Sequence, residues 1–397
     1  MCEMNICFIQ VLFIVLRSNK SNEYKNQLIA MSHQLNHVPS MTTESKYHNV
    51  LITRFRLLGD VAMTIPVVYS ACEAHPDVRF VIATQSVAST LFVNAPSNLT
   101  VVSIDHKAEL GSFGSLRRLA RRLVADYGID AVVDLQGEYR SWLLDVCLRL
   151  QGVKKVVRID KGTKGKRALT RRRNKRMFPL VTQRDRYREA INRMGFTFDE
   201  TFTSIYGDNA QADPTLFAHL AAAKQPGERW IAVAPFAKWN GKIYPMHLME
   251  KVLDQIAAWQ GVRIFLLGQG DNERDQFRKW TAKYANATSL AECRNGFPAE
   301  LALLSHCDVM LSMDNMNMHL ASLVRVPVVS VWGASHPYCG FMGWKQDEAN
   351  VVQLNMACRP CSLFGDKKCY YNDFFCLTGI QPQMVISAVE KVLNARQ

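Results

Sequence analysis

The residues best placed to do chemistry follow runs typical of buried strands, and the first of them is Asp60. The run 48–54, which is typical of a buried strand, is followed by the turn Leu58-Gly59, after which Asp60 begins a predicted helix. A carboxylate here projects from the carboxyl end of a sheet strand, where ligands bind in open α/β sheets. It could take the proton of a hydroxyl group as a general base. The spacing alone favours a simpler function, an N-terminal helix cap.

A second cluster carries two lysines in the loop 234–245. Lys238 and Lys242 follow the apolar run 230–235, and Pro245 marks the start of the next predicted helix. An ammonium group is a compact point charge that suits a phosphate. The sequence of this loop supports two interpretations equally: a lysine that binds phosphate and a solvated surface lysine.

The third cluster is the segment 311–322, in which a strand is predicted to end near Met313 and a helix to begin near Asn315. The first N–H groups of a helix lack intrahelical partners and favour anions, so this helix start predicts a diphosphate site. Asp314 and Asn315 stand at the same edge and are predicted to bond sugar hydroxyls. His319 lies four residues after Asn315 on the same helix face. A lone helical histidine is more often structural than a ligand.

Four cysteines near the carboxyl terminus begin with a C-x2-C pair, which is one half of a tetrahedral zinc motif. The second half is not such a pair, because six residues separate its cysteines. A structural cluster is therefore favoured over a metal site. The four residues are Cys358, Cys361, Cys369 and Cys376.

The stretch 154–176 is strongly basic, and Asp160 is its only acidic residue. Charge runs of this kind are usually solvated loops. Nucleic-acid binding is disfavoured, because the stretch has little aromatic interleaving and only Phe178 lies close by. The candidate contact residues for another anionic partner are Lys166, Arg171, Arg172 and Arg173.

Two tandem patterns of strands and helices must position these clusters. Each pattern predicts a parallel sheet with right-handed crossovers. The segment 224–228 is polar and turn-rich, so one Rossmann-like domain is predicted over 47–224 and another over 225–397, after a poorly ordered extension over 1–46. The predicted strands are 48–54, 78–83, 99–104, 130–135, 154–159, 230–235, 262–267, 308–313 and 327–332. The predicted helices are 114–127, 138–150, 245–259, 272–285 and 382–395.

The composition of the chain indicates the sign of the charge on its expected partner. The chain of 397 residues has a formal net charge of +13 and a pI near 9.3, so an anionic partner is expected. The apolar run 6–16 is shorter than the roughly 20 residues of a membrane span. Several of the eleven cysteines sit inside apolar runs, which is typical of reduced thiols in a cytosolic protein.

The order of these clusters resembles glycosyltransferase family 9, the ADP-heptose:lipopolysaccharide heptosyltransferases. That family has an early arginine and Gly-Asp pair, a mid-chain lysine before a proline, and a later acidic motif that ends in histidine and precedes another strand. The matching residues here are Arg54, Gly59-Asp60, Lys242, Pro245, Asp314, His319 and the segment 326–337. The similarity extends from about residue 49 to residue 392.

The resemblance implies a GT-B fold, in which two Rossmann-like domains face each other across a ligand cleft. It implies that Asp60 is the catalytic base, that Lys242 binds the donor phosphates, and that Asp314 contacts the donor sugar. His319 is placed at the donor pocket, and Lys238 and Asn315 are further donor-binding candidates. The basic stretch is placed in the acceptor domain, where it would contact an anionic glycolipid acceptor or the inner-membrane surface.

Several positions depart from the family pattern. Tyr244 stands where the family has tryptophan, and Asn315-Met316-Asn317 replaces a Ser/Thr-Gly pair and the residue after it. Arg325 stands where the family has a glycine. The turn after Gly268 lacks the acidic residue that holds the ribose in some members, which leaves Asp271 and Glu273 as candidates for that function.

The implied function is inverting transfer of a sugar, heptose from ADP-heptose, to a lipopolysaccharide-core or related glycolipid acceptor. The nucleotide-sugar is a substrate and no cofactor is expected. The sequence has no D-x-D motif at a strand end, which favours metal-independent catalysis. The expected location is the cytoplasm, with peripheral contact at the inner face of the inner membrane. The alternatives are a nucleotide-sugar epimerase of related fold and a basic nucleic-acid-binding protein.

Overall fold

The structure, a computed structural model, describes residues 46–208, 211–292 and 296–395. The predicted extension over residues 1–46 lies outside the described residues except for Lys46, so its prediction stays a prediction. From Tyr47 onward the chain forms two parallel β-sheets with helices between their strands.

The first sheet has five parallel strands, all of which match predicted strands. They are β1 Asn49–Thr53, β2 Arg79–Gln85, β3 Leu99–Ile104, β4 Ala131–Asp134 and β5 Lys155–Arg158. Their spatial order is β3-β2-β1-β4-β5, which places β1 at the centre. Val50 to Thr53 are all buried, as expected for a central parallel strand that is covered on both faces.

Helices cover both faces of this sheet. They are α1 Leu58–Ala62, α2 Ile65–Ala74, α3 Ser86–Ser89, α4 His106–Leu110, α5 Phe113–Tyr127, α6 Tyr139–Arg149, α7 Thr163–Thr170 and α8 Gln183–Met194. Leu51 packs in a core cluster with α5 and α6, whereas Val50 and Ile52 belong to the cluster that contains α2 and α8. Helix α5 begins with a capping box at Ser112 and ends at Gly128, whose φ is 63°.

The second sheet has six parallel strands, four of which were predicted. They are β6 Arg229–Ala234, β7 Val262–Leu266, β8 Ala287–Ser289, β9 Val309–Met313, β10 Val328–Val331 and β11 Val351–Val352. Their spatial order is β11-β10-β9-β6-β7-β8. The unpredicted strands β8 and β11 lie at the edges and have only 3 and 2 residues, too few to establish a strand period.

The helices of the second half include those predicted over 245–259, 272–285 and 382–395 and the one predicted to begin near Asn315. The α-helices are α9 Met246–Ala257, α10 Asp271–Lys283, α11 Gly296–Leu304, α12 Met316–Leu323, α13 Phe375–Thr378 and α14 Pro382–Asn394. Short 3₁₀ helices cover Pro214–Phe217, Asn240–Lys242, Pro337–Cys339 and Glu348–Asn350.

The predicted domain division at residues 224 and 225 stays a prediction, but the residues just before it contact the second half. Phe217 packs edge-on against Trp230 and His306, with ring centroids 6.0 and 5.0 Å away. Lys224 Nζ donates to both carboxylate oxygens of Asp308, at 2.7 and 2.6 Å. These contacts make the segment from Phe217 to Lys224 part of the packing of the second sheet.

The carboxyl ends of three strands position the chemistry-bearing loops. Asp60 follows β1, the two candidate lysines follow β6, and Asp314 follows β9. Strands β6 and β9 are neighbours in register, with Ala234 opposite Ser312. The loops after them therefore lie side by side at one sheet edge, the usual place for a ligand in this class of fold.

Candidate active site

A cavity of about 650 Å³ lies where the carboxyl edges of the two sheets meet. Residues of the first half contribute Leu57 to Asp60, and the loops after β6, β7 and β9 contribute the opposite wall. The volume is in the range of ordinary small-molecule sites. Six of the predicted site residues line this one cavity: Asp60, Lys238, Lys242, Asp314, Asn315 and His319.

Asp60 lies in the first turn of α1, and its predicted function as a helix cap is wrong. Leu57 occupies the cap position, with φ 66°, and Asp60 comes three residues later. The Asp60 carboxylate instead forms an ion pair with Arg54. Arg54 is itself fixed, because its Nη1 donates to the carbonyl oxygen of Leu135 at 2.9 Å. Sequence reasoning gave Arg54 no function, although it stands in the motif that contains Asp60.

Burial raises the pKa of the Asp60 carboxyl, while the positive charges of Arg54, Lys166 and Lys242 act in the opposite direction. A carboxylate with a raised pKa is a stronger base than an exposed one, which suits the abstraction of a proton from a hydroxyl. The side chain of Asp60 is 15% exposed, so a substrate in the cavity can reach it.

Lys242 and Asp314 form a buried ion pair on the opposite wall. Lys242 Nζ lies 2.6 Å from Asp314 Oδ2, and Ser335 Oγ donates to the same oxygen at 2.6 Å. Lys238 differs from Lys242, since it is exposed and its Nζ lies 5.4 Å from the ring centroid of Trp239. Lys242 is thus held at the cavity, whereas Lys238 reaches it from the surface.

Asn315 does not fit the predicted function of bonding sugar hydroxyls, because its side-chain amide is fully engaged. Its Oδ1 accepts from Asn317 N at 2.8 Å, which makes Asn315 the N-terminal cap of α12. Its Nδ2 donates to the carbonyl oxygens of Ala234 and Phe236, at 3.2 and 2.7 Å. Asn315 therefore positions the loop after β6, and its cap takes up an N–H group that we expected to face a diphosphate.

His319 lies on α12 against α1 of the first half. A Cβ atom at Gly59 would lie only 3.0 Å from His319 Cδ2, so the glycine permits this close approach. Burial, with the nearby charge of Lys242, lowers the pKa of His319 to about 4, so the ring is neutral at pH 7. Its Nδ1 has no hydrogen-bond partner among the described residues. His319 lines the cavity, and its predicted place at the donor pocket stays a prediction.

The cysteine-containing loop, residues 358–376, supports the wall of the cavity that carries Lys242. Gly365 approaches so closely that a Cβ there would lie 2.7 Å from Lys242 Cγ. Arg359 is buried, and its Nη2 donates to the carbonyl oxygen of Ser335 at 2.9 Å. Neither Arg359 nor Ser335 was predicted from the sequence, which gives no local signal for either contact.

The four cysteines of this loop line one small cavity and are free thiols. Over the described ranges, no three His, Cys, Asp or Glu side chains are arranged to hold a metal ion. The structural cluster that we predicted for these cysteines stays a prediction.

The predicted basic residues have different neighbours. Lys166 lies near the cavity, with its Nζ 5.4 Å from the ring centroid of Phe341, and burial lowers its pKa. Arg171, Arg172 and Arg173 are exposed, and the guanidinium of Arg172 lies 5.0 Å from the ring centroid of Tyr370. The stretch is not entirely a solvated loop.

The second half also shows which acidic residue is available near the predicted ribose position. Asp271 is 86% exposed and paired with Arg274, so it does not line the cavity. Glu273 lines it, and its Oε2 accepts from Gln269 N at 2.7 Å. Of the two candidates, only Glu273 can reach a ligand in this cavity.

Comparison with known proteins decides the family. A model of glycosyltransferase family 9 (heptosyltransferase) matches residues 116–370, which is more than half of the chain. The chain belongs to glycosyltransferase family 9. The match includes the donor-side candidates from Lys238 to His319, whereas Asp60 lies before it.

Three proteins similar to this family 9 chain are matched over nearly their whole length. The lipopolysaccharide heptosyltransferase 1 of Pseudomonas aeruginosa is 23% identical over 368 residues, which covers 87% of this chain and 98% of that protein. A family 9 glycosyl transferase from Veillonella parvula has a TM-score of 0.67 at 16% identity, covering 89% and 99% of the two chains. The E. coli ADP-heptose lps heptosyltransferase II has a TM-score of 0.59 at 16% identity, covering 88% and 99%.

Membership in family 9 makes the protein a glycosyltransferase, and the predicted GT-B fold with two Rossmann-like domains is confirmed. The epimerase and nucleic-acid-binding alternatives are not favoured. Within the described part of the chain, no helix has the length and apolar character to cross a membrane.

Proposed function

We propose that this family 9 enzyme transfers heptose from ADP-heptose to a hydroxyl of a lipopolysaccharide-core or related glycolipid, with inversion at the anomeric carbon. The observation that carries the proposal is that one cavity brings a candidate base, Asp60, to face a cation, Lys242. The names of the relatives from Pseudomonas aeruginosa and E. coli support the choice of donor and acceptor class.

In the proposed reaction, Asp60 takes the proton of the acceptor hydroxyl as its oxygen attacks the anomeric carbon. The bond from that carbon to the diphosphate breaks in the same displacement, and the leaving diphosphate carries the electron pair. Lys242 stabilises the growing negative charge, because a fixed cation in a partly buried site needs no reorganisation during the reaction. Asp314 and Ser335 hold Lys242 in place. No cofactor and no metal ion take part in this proposal.

The acceptor side of the proposal rests on the rim of the first sheet. Tyr139 and Trp142 at the start of α6 are 71% and 43% exposed, and their rings stack with centroids 5.8 Å apart. Arg140 lies beside Tyr139 in α6. Together with burial, the positive charges of Arg140 and Arg56 lower the pKa of His106, so the two arginines are close to that histidine. Aromatic rings beside arginines suit an amphipathic, anionic acceptor. The proposed location is the cytoplasm, with peripheral contact at the inner membrane.

The test is release of ADP from ADP-heptose, measured with and without a glycolipid core acceptor. We expect release that depends on the acceptor and a product with inverted anomeric configuration. Release of ADP at the same rate without acceptor would contradict glycosyl transfer. Transfer from UDP-linked or GDP-linked sugars alone would contradict the proposed donor and keep the reaction class.

A further inference from the structure

The donor side of the cavity continues along the edge of the second sheet beyond Lys242. Loops after β9, β6, β7 and β8 line it in the order of the strands. Three spacings of about 4.8 Å separate β9 from β8, so this edge extends about 14 Å. A second cavity of about 450 Å³ shares Gly268, Gln269 and Glu300 with the first. With the sugar and diphosphate placed near Asp314, the β8 end is left for the nucleoside.

Glu300 on α11 stands at the junction of these two cavities and lines both. It has no hydrogen-bond or ion-pair partner among the described residues. Neighbouring carboxylates differ, since Glu273 accepts from Gln269 N and Glu292 pairs with Arg278. Glu300 is partly buried. Partial burial of a carboxyl group without a partner costs free energy, so a ligand that supplies the partner is expected.

We propose that Glu300 reads the nucleobase of the donor by hydrogen bonds to the edge of the base. This inference rests on the proposed function. The surroundings suit a flat apolar ring. Leu290 and Phe297 line the cavity from the second half, and Val87 on α3 and Thr90 just after α3 line it from the first half.

The protonation of Glu300 decides which base it can pair with. Burial raises the pKa of Glu300 to about 7. The protonated carboxyl offers one donor beside one acceptor, the same pair as a side-chain amide, which binds adenine at N6 and N7. The carboxylate offers acceptors only and loses half of that pairing. Affinity for an adenine nucleotide is therefore full below pH 7 and falls as pH rises through it.

Among the described residues, several other ionisable side chains line the two cavities that Glu300 joins. Asp60, Lys238, Lys242, Asp314 and Asp366 line the first cavity, and the others come from the helices around Glu300. From α10 these are Glu273 and Arg274, the latter paired with Asp271, while α3 contributes no ionisable side chain. From α12, His319 has a pKa of about 4 and stays neutral from pH 6 to 8. A bound diphosphate also titrates, and the effect of this titration on affinity cancels when variants are compared at the same pH.

The experiment measures the affinity of ADP, GDP, UDP and inorganic pyrophosphate for the full chain by calorimetry at pH 6 and pH 8. For the wild type, we expect ADP to bind about tenfold more weakly at pH 8 than at pH 6, after correction for pyrophosphate. Glu300→Gln should keep tight ADP binding at both pH values, because the amide does not titrate. In Glu300→Ala, ADP should lose most of its higher affinity relative to pyrophosphate at both pH values. Asp271→Asn is the matched control and should behave as the wild type.

The outcomes separate this inference from the proposed function. Equal pH dependence of ADP binding in the wild type and in Glu300→Gln would overturn the reading of the base, and so would unchanged ADP affinity in Glu300→Ala. A wild type that binds GDP or UDP more tightly than ADP at pH 6 would overturn it as well. Failure of the wild type to bind pyrophosphate and every nucleotide would instead contradict the donor site itself, and with it the proposed function.

Discussion

Each wall of the cavity carries a buried carboxylate beside a cation, but the two pairs are held differently. On the second wall, Asp314 is 5% exposed and its Oδ2 is shared by Lys242 and Ser335. On the first wall, the Asp60 side chain is 15% exposed, and Arg54 is its ion-pair partner. The Asp60 carboxylate is therefore accessible to a substrate, whereas the Asp314 carboxylate is enclosed by Lys242 and Ser335.

The difference determines which charge each wall presents to a ligand. Where the carboxylate is enclosed, as at Asp314, the lysine is what faces the cavity, and the wall suits a diphosphate. Where the cation is anchored behind the carboxylate, as Arg54 is by the carbonyl oxygen of Leu135, the carboxylate faces the cavity and can act as a base. In the proposed reaction, a carboxylate beside a cation would therefore act as the base on one wall and stabilise the leaving group on the other.

The largest effect is expected for Asp60→Asn, which removes the base and keeps its shape. The transfer rate at saturating acceptor should fall by roughly 10²- to 10⁴-fold, the usual contribution of a general base, while ADP affinity stays nearly unchanged. Asp314→Asn is the matched change on the other wall, and it should weaken ADP binding more than it lowers the rate at saturating donor. Wild-type turnover in Asp60→Asn would rule out its function as base.

Lys242→Ala should have the next largest effect, chiefly on donor binding. Removal of one partner from a buried pair costs about 3–5 kcal/mol of stability, so thermal unfolding must be measured together with ADP affinity. The double variant Lys242→Ala with Asp314→Asn should recover much of the stability and none of the affinity. Lys238→Ala should change both less, and the reverse order of ADP affinities would show that the wrong lysine was assigned.

The nine longer strands of the described chain were predictable because each has an apolar segment, whereas the short edge strands β8 and β11 and the contacts that depend on tertiary approach were not. The motif around Asp314 predicted where β9 ends and α12 begins. It did not predict that the side-chain amide of Asn315 would donate hydrogen bonds to the loop after β6. Spacing also suggested a cap at Asp60, since the sequence does not reveal that Leu57 takes the cap position with a positive φ. Arg359 and Ser335 escaped notice because they meet through chain segments that are distant from Lys242 in sequence.

Lys166→Met tests whether the charge around Asp60 tunes its function as a base. Lys166 lowers the pKa of Asp60, so its removal should raise that pKa further above the ordinary value. Because Asp60 must be deprotonated to act, activity is lost as pH falls through its pKa. The acidic limb of the pH profile of kcat/KM should therefore move to higher pH in Lys166→Met. Lys164→Met, an exposed lysine on the same helix, is the control, and an identical shift in both variants would remove Lys166 from the site.

The smallest effect is expected from neutralising Arg171, Arg172 and Arg173 together, since all three are exposed. A basic residue near an anionic surface contributes about 1 kcal/mol. The triple variant should raise the apparent KM for the glycolipid acceptor or weaken binding to anionic vesicles, with ADP affinity unchanged. The effect should shrink as salt rises, because the Debye length is already about 8 Å at physiological ionic strength.

Two results would change the interpretation of these arginines. Equal kinetics of the triple variant and the wild type at low salt would leave them as solvated surface residues. Loss of ADP affinity would instead connect them with the donor wall, and one contact of Arg172 could transmit such an effect. Arg172 lies over Tyr370 in the cysteine-containing loop, and the same loop packs against Lys242. The double variant that keeps Arg172 would then recover donor binding, whereas the double variant that keeps Arg171 would not.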